Sequence, residues 1–173
     1  YEIDSNLVLG AEMMETDNQL VINEYLAGYY NAKKLISESK TWTNFETDYL
    51  PLLEFAKGKN LDFIATNIPR RYASIVYSYG IDTLLHLSEQ AKTLIAPLPI
   101  KLDTTMAYFI SKNLKLDGKF IHYHGAFHSK NYEGIYWYLK QLKPELNILT
   151  IGCDEQENIF DLNEAHDKAD FII

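Results

Sequence analysis

Short apolar runs alternate along the chain with stretches whose apolar residues recur at helical spacing. Leu7, Val8, Leu9 and Ala11 form one such run, and Asn6–Glu12 is predicted as a buried strand with Glu12 at its carboxyl end. Asp17 is placed to cap the next helix, on which Val21, Tyr25 and Tyr29 fall on one stripe beside Ile22 and Leu26. Thr43 and Glu46 make a capping-box signature before Phe45, Tyr49, Leu52, Leu53 and Ala56. Pro51 lies too deep for an N1 proline, so it should kink this helix or divide it, with Gly58 as the stop. Leu61–Asn67 is the next strand. Ile68-Pro69 then turns the chain into a helix that opens on Arg70 and Arg71, carries Tyr72, Ile75, Val76 and Tyr79 on its apolar face, and ends at Gly80.

Beyond it, Ile81–Lys92 reads as helical and Thr93–Ala96 as a short strand, and Asp103–Leu114 reads as a helix with Asp103 as N-cap. Asp117-Gly118 marks a turn into the strand Lys119–His124, where Phe120, His122 and His124 share one face and Ile121 and Tyr123 the other. Tyr132, Ile135, Tyr136, Leu139 and Leu142 pattern a helix that stops before Pro144, followed by a strand over Asn147–Ile151. Phe160–Lys168 is expected to be a last short helix with His166 on its polar face, and Phe171-Ile172-Ile173 looks like a strand cut short. Strands alternating with amphipathic helices predict a single α/β domain with a mainly parallel sheet covered by helices on both faces.

In such a sheet, ligands bind at the carboxyl ends of the strands. If the histidine strand is central, His128 in the loop after Gly125 reaches that rim, as do Glu12 and Asn67. A histidine after a strand is more often a loop hydrogen-bonder than a ligand, and His122 and His124 inside the strand read as packed or paired residues. Arg70 and Arg71 stand where the helix dipole favours negative charge, so an anion should hold them: Glu12, a ligand carboxylate or phosphate, or plain solvent.

Composition narrows the function classes. A net charge of −8 over 173 residues argues against a nucleic-acid partner. The single cysteine excludes an intrachain disulfide and a Cys-based zinc site, and Cys153 reads as a small buried hydrophobe. No apolar stretch approaches the length of a membrane-spanning helix. Thirteen tyrosines suit interfaces and flat aromatic ligands, and a deprotonated tyrosine can ligate ferric iron.

Five local patterns coincide with one family: Leu9–Glu15 (LGAEMME), Trp42–Ala56 (WTNFETDYLPLLEFA), Ile64–Tyr72 (IATNIPRRY), Asp103–Ala107 (DTTMA) and Gly125–Ser129 (GAFHS). In these the chain resembles the ChaN-like haem-binding, iron-regulated lipoproteins. The resemblance implies an exported α/β domain, lipid-anchored in the cell envelope at the outer membrane, that binds haem between two copies through a tyrosine. Arg70 or Arg71, with Asn67, would then hold the haem carboxylates, and Tyr72, Tyr108 and Tyr123 are the axial candidates. A wider group, including erythromycin-esterase-like and Tiki-type proteins, shares a strand-end glutamate, an arginine and a glycine-x-x-histidine loop. Those elements map onto Glu12, Arg70 or Arg71, and Gly125 with His128. For its hydrolytic members the implied chemistry is a divalent metal or an activated water, with Glu12 and His128 as catalytic groups and His128, Glu12 and His124 as ligands. A binding module without chemistry is the third reading.

Two features depart from the family pattern. Its opening strand, with a glycine-glutamate-x-histidine pattern, has no counterpart after Tyr1, and a longer segment is expected where Ile100 meets Lys101.

Overall fold

The sheet is built around the first apolar run. In the computed structural model, which describes residues 6–97, 102–155 and 167–173 (Leu102 by its backbone alone), β1 spans Leu7–Glu15. A 3-10 turn over Thr16–Asn18 leads into α1 (Gln19–Leu26), and α2 follows at Ala32–Glu38. A π-helical turn over Phe45–Tyr49 precedes α3 (Leu50–Lys59), β2 (Asp62–Asn67) and α4 (Arg70–Tyr79). A 3-10 segment over Ile81–His86, α5 (Glu89–Lys92) and α6 (Leu102–Asn113) lead to β3 (Lys119–Tyr123). Two further 3-10 turns, Ala126–His128 and Lys130–Tyr132, precede α7 (Gly134–Leu142), and β4 (Ile151–Gly152) pairs in parallel with β5 (Phe171–Ile172).

The main described sheet has the order β2-β1-β3, all parallel. β1 is therefore the centre, and the histidine strand lies at the edge of these three. The reason is legible in burial: Val8, Leu9 and Ala11 are buried, whereas Lys119 and Ile121 of β3 are exposed. Because every strand points the same way, the loop after β3 still reaches the carboxyl rim.

Each face of the sheet is covered. Leu9, Ala11, Phe63 and Ala65 pack with Ile22, Tyr25, Leu35, Leu53 and Ala56 from α1, α2 and α3. On the other face Phe120 packs with Met106, Ala107 and Ile110 of α6 and Ile135 and Leu139 of α7. Gly10 permits this, since a Cβ there would meet the Phe120 ring at 2.8 Å and the Ile64 carbonyl oxygen at 3.0 Å.

Several local expectations are corrected. Pro51 does divide its helix, but the first part is a π turn with no side-chain cap, and Pro51 enters the first turn of α3, where its missing N–H costs nothing. Gly58 lies inside α3, which ends instead at Asn60 in the left-handed conformation (φ 53°), a state asparagine tolerates. Tyr29 lies beyond the end of α1 and is exposed. Thr93–Ala96 forms a turn, its backbone held by threonine side chains: Thr16 donates to the Leu94 carbonyl at 2.6 Å, and the Ala96 N–H donates to Thr105 at 3.4 Å. Asp17 and Asp103 are not caps; each pairs with a cation from a distant segment. Cys153 is exposed. The expected helix over Phe160–Lys168, with His166, falls largely outside the described residues, as does the junction of Ile100 and Lys101.

Candidate functional site

Past Ala11 the pairing of β1 with β2 shifts register before resuming at Glu15 and Asn67. A bulge of this kind re-aims side chains. Two residues three apart, Glu12 and Glu15, consequently line one cleft at the carboxyl rim.

Glu12 receives the loop after β3. Its Oε2 accepts the Gly125 N–H at 2.9 Å and its Oε1 lies 3.2 Å from His128 Nε2. The other ring nitrogen, Nδ1, lies 2.5 Å from Asp103 Oδ1 on α6. His128 is thus clamped between two carboxylates. The bonds to Asp103 and Glu12 outweigh its partial burial and push its pKa up to about 9, so it is an imidazolium at neutral pH. Burial acts to raise Glu12, but the His128 and Gly125 bonds hold it below the usual carboxylate value.

Glu15, almost fully buried, explains the paired arginines. Its carboxylate accepts the backbone N–H of Arg70 at 3.0 Å and the Arg70 Nε–H, so the negative charge at the start of α4 comes from β1. Arg70 also donates from an Nη to the Lys40 carbonyl at 3.0 Å. Arg71 pairs with Asp17 and lies over the Tyr72 ring, 4.5 Å from its centre. Glu12, one of the candidate partners of the arginines, belongs instead to His128.

The cleft has a volume of about 340 Å³ and is lined by Glu12, Glu15, Trp42, Asn67, Ile68, Arg70, Ala73 and His128. That is within the range of small-molecule sites. Of the residues singled out in sequence, Glu12, His128, Asn67 and Arg70 converge here. Arg71 is turned to Asp17, and Tyr72 is buried among Ile68, Leu84 and Ile95. Tyr108 meets Phe109 edge-on, and Tyr123 packs on the α1–α3 side of the sheet, where burial raises its pKa. None of the three tyrosines lines the cleft.

A metal reading finds no geometry to support it. Among the described residues no group of three or more His, Cys, Asp or Glu side chains is arranged to hold an ion. His128 has both nitrogens engaged by carboxylates, whereas a metal needs a bare one. His124 turns to His122, with rings stacked 5.0 Å apart.

Three participants went unread in the sequence as parts of this site: Asp103, Glu15 and Trp42. Asp103 opens one of the five family patterns and Glu15 closes another, which was the available signal; Trp42 opens a third.

The comparisons agree with the fold. A solved structure described as "Cofacial heme binding to ChaN of Campylobacter jejuni" matches with a TM-score of 0.64 at 14% identity, covering 96% of this chain and 72% of its own. No match was found among curated proteins. A family model described as haem-binding uptake, Tiki superfamily, ChaN matches residues 2–104, a span that holds Glu12, Glu15, Trp42, Asn67, Arg70 and Asp103 but stops before His128. With more than half of its length matched, this chain belongs to the ChaN family of the Tiki superfamily.

Proposed function

We propose that this protein binds haem in the cleft at the carboxyl rim of the sheet. The observation that carries the reading is the cleft's make-up. The Trp42 indole, 40% exposed and braced edge-on by Tyr49, offers a flat aromatic wall. Ile68 and Ala73 add apolar surface, and Arg70 and Asn67 supply donors for carboxylates. These residues fit the edge and the carboxylates of a porphyrin. When bound, haem would supply a ferric iron that takes a deprotonated oxygen or a bare nitrogen as axial ligand. His128 in its charged form has neither to give. Family membership and the cofacial haem binding named for the Campylobacter protein support haem as the ligand; two copies of the chain as the bound form are part of the same proposal. On this reading the protein serves haem and iron acquisition in the cell envelope, held there by a lipid anchor.

Hemin added to the purified protein should shift and sharpen the Soret band, saturating at a fixed ratio per chain. Trp42→Ala should weaken binding about tenfold, the worth of one aromatic face. Arg70→Ala should weaken it by a similar factor, and less at high salt, where exposed charges are screened. A spectrum that stays that of free hemin at every ratio overturns the reading.

A further inference from the structure

Beside the cleft, four hydrogen bonds run in series from the loop after β3 to the central strand. Ser129 Oγ lies 2.7 Å from His124 Nε2. His124 Nδ1 lies 2.9 Å from His122 Nδ1, and His122 Nε2 lies 2.7 Å from Thr66 Oγ1. Thr66, fully buried, donates to the Ala11 carbonyl oxygen at 3.1 Å.

Counting protons fixes the sense of the whole chain. A carbonyl oxygen can only accept, so the single Thr66 hydroxyl proton goes to Ala11 and Thr66 must accept from His122 Nε2–H. One proton can lie between the two Nδ1 atoms. Burial holds His122 well below its ordinary pKa, with the His124 and His128 rings adding to the effect, so His122 is neutral and its Nδ1 is bare. The shared proton is therefore carried by His124. Burial and the nearby His128 charge also lower His124, leaving it neutral with a bare Nε2. The remaining bond has one possible donor, the Ser129 hydroxyl. A serine proton directed at the bare nitrogen of an imidazole whose other nitrogen is oriented by a third residue is the ground state of a nucleophile and its base.

The position suits that role. Gly125, Ala126, Phe127, Lys130 and Asn131 around the serine are exposed, and Ser129 itself is half-buried. Asn131 and Tyr132, two and three residues after it, both hold positive φ (58° and 60°), a costly conformation for such residues.

We propose that Ser129, His124 and His122 form a nucleophile, base and orienting residue for acyl transfer from a carboxylic ester. Ser129 Oγ adds to the ester carbonyl carbon as its proton passes to His124 Nε2. The bond to the alcohol oxygen breaks and that oxygen takes the proton, leaving the acyl group on Ser129. Water then adds to this acyl ester, giving a proton to Nε2. The bond to Oγ breaks and Oγ regains the proton, so that ester and water become acid and alcohol. The neutral His122 stabilises the His124 imidazolium less than a carboxylate would, and the nearby His128 charge opposes it, an effect that the carboxylates of Glu12 and Asp103 offset in part.

A fluorophosphonate probe, which loses fluoride to an activated serine, tests this on haem-free protein, so the result is independent of haem binding. Intact mass should show one adduct per chain, mapped by peptide mass spectrometry to Ser129 and absent from Ser129→Ala. His124→Ala should slow labelling about 100-fold or more, the usual worth of a general base. An unlabelled wild-type protein, or an adduct that persists in Ser129→Ala, overturns the proposal; a purely structural hydrogen-bond chain would give the first of these.

Discussion

Gly134→Ala is expected to lower stability by roughly 3 kcal/mol, most of it from one steric conflict. Gly134 opens α7 at φ 50°, where any side chain costs roughly 1 kcal/mol. A Cβ at this position would press on the His128 carbonyl oxygen and stand 3.0 Å from Asp103 Oδ2. A backbone oxygen cannot swing aside as a flexible side chain can, so the 3-10 turn that carries His128 must move and its bond to Asp103 must lengthen. Gly28→Ala is the control. Gly28 also has positive φ (83°), but an added Cβ meets nothing within 4 Å, so only the conformational cost remains. Urea midpoints for the two variants separate the terms, and equal losses would contradict the packing of α7 on the site loop.

Stability should pass through a maximum near pH 6.5, and the two limbs have different owners. His128 has a folded pKa of about 9, above the ordinary 6.5. Its contribution is fully present below pH 6.5 and is lost as pH rises through 9, because the folded state alone holds that proton. This alkaline limb amounts to about 2–3 kcal/mol, reduced somewhat by the partial exposure of the group. His122 and His124 act in the opposite sense. Both are held below 6.5 in the fold, so below that pH the unfolded chain takes up protons that the folded one refuses, and stability falls. Glu12, depressed in the fold, adds to the acid limb as pH drops through its folded value. Denaturation followed from pH 4.5 to 9.5 checks the shape. Asp103→Asn with Glu12→Gln should flatten the alkaline limb and leave the acid limb largely in place; an unchanged alkaline slope would mean that His128 is not clamped as described.

Where apolar patterning was strong, the sequence reading located the elements well. Leu61–Asn67, the helix from Arg70 to Gly80 and the histidine strand lie within a residue of their observed bounds. The rim site was legible in part, because strand ends in a parallel sheet share a side whichever strand is central. What failed were the pairings. Asp17 and Asp103 have the residue type and place of helix caps, and nothing local distinguishes a capping carboxylate from one that reaches across 54 or 25 residues to a cation. Glu15 was hidden by the bulge, since strict two-residue alternation puts it on the face opposite Glu12. Cys153 follows an apolar run and reads as core, but β4 pairs only with β5 among the described strands, so its surroundings stay open to solvent.

Glu12, Glu15 and Asp17 sit within six consecutive positions, yet they hold His128 after β3, Arg70 at the head of α4 and Arg71 beside it. The site's walls are thus moored to one short quay rather than roped to each other. Removing the Glu12 carboxylate is therefore expected to loosen the loop after β3 while Arg70 stays bound to Glu15, and removing Glu15 to do the reverse.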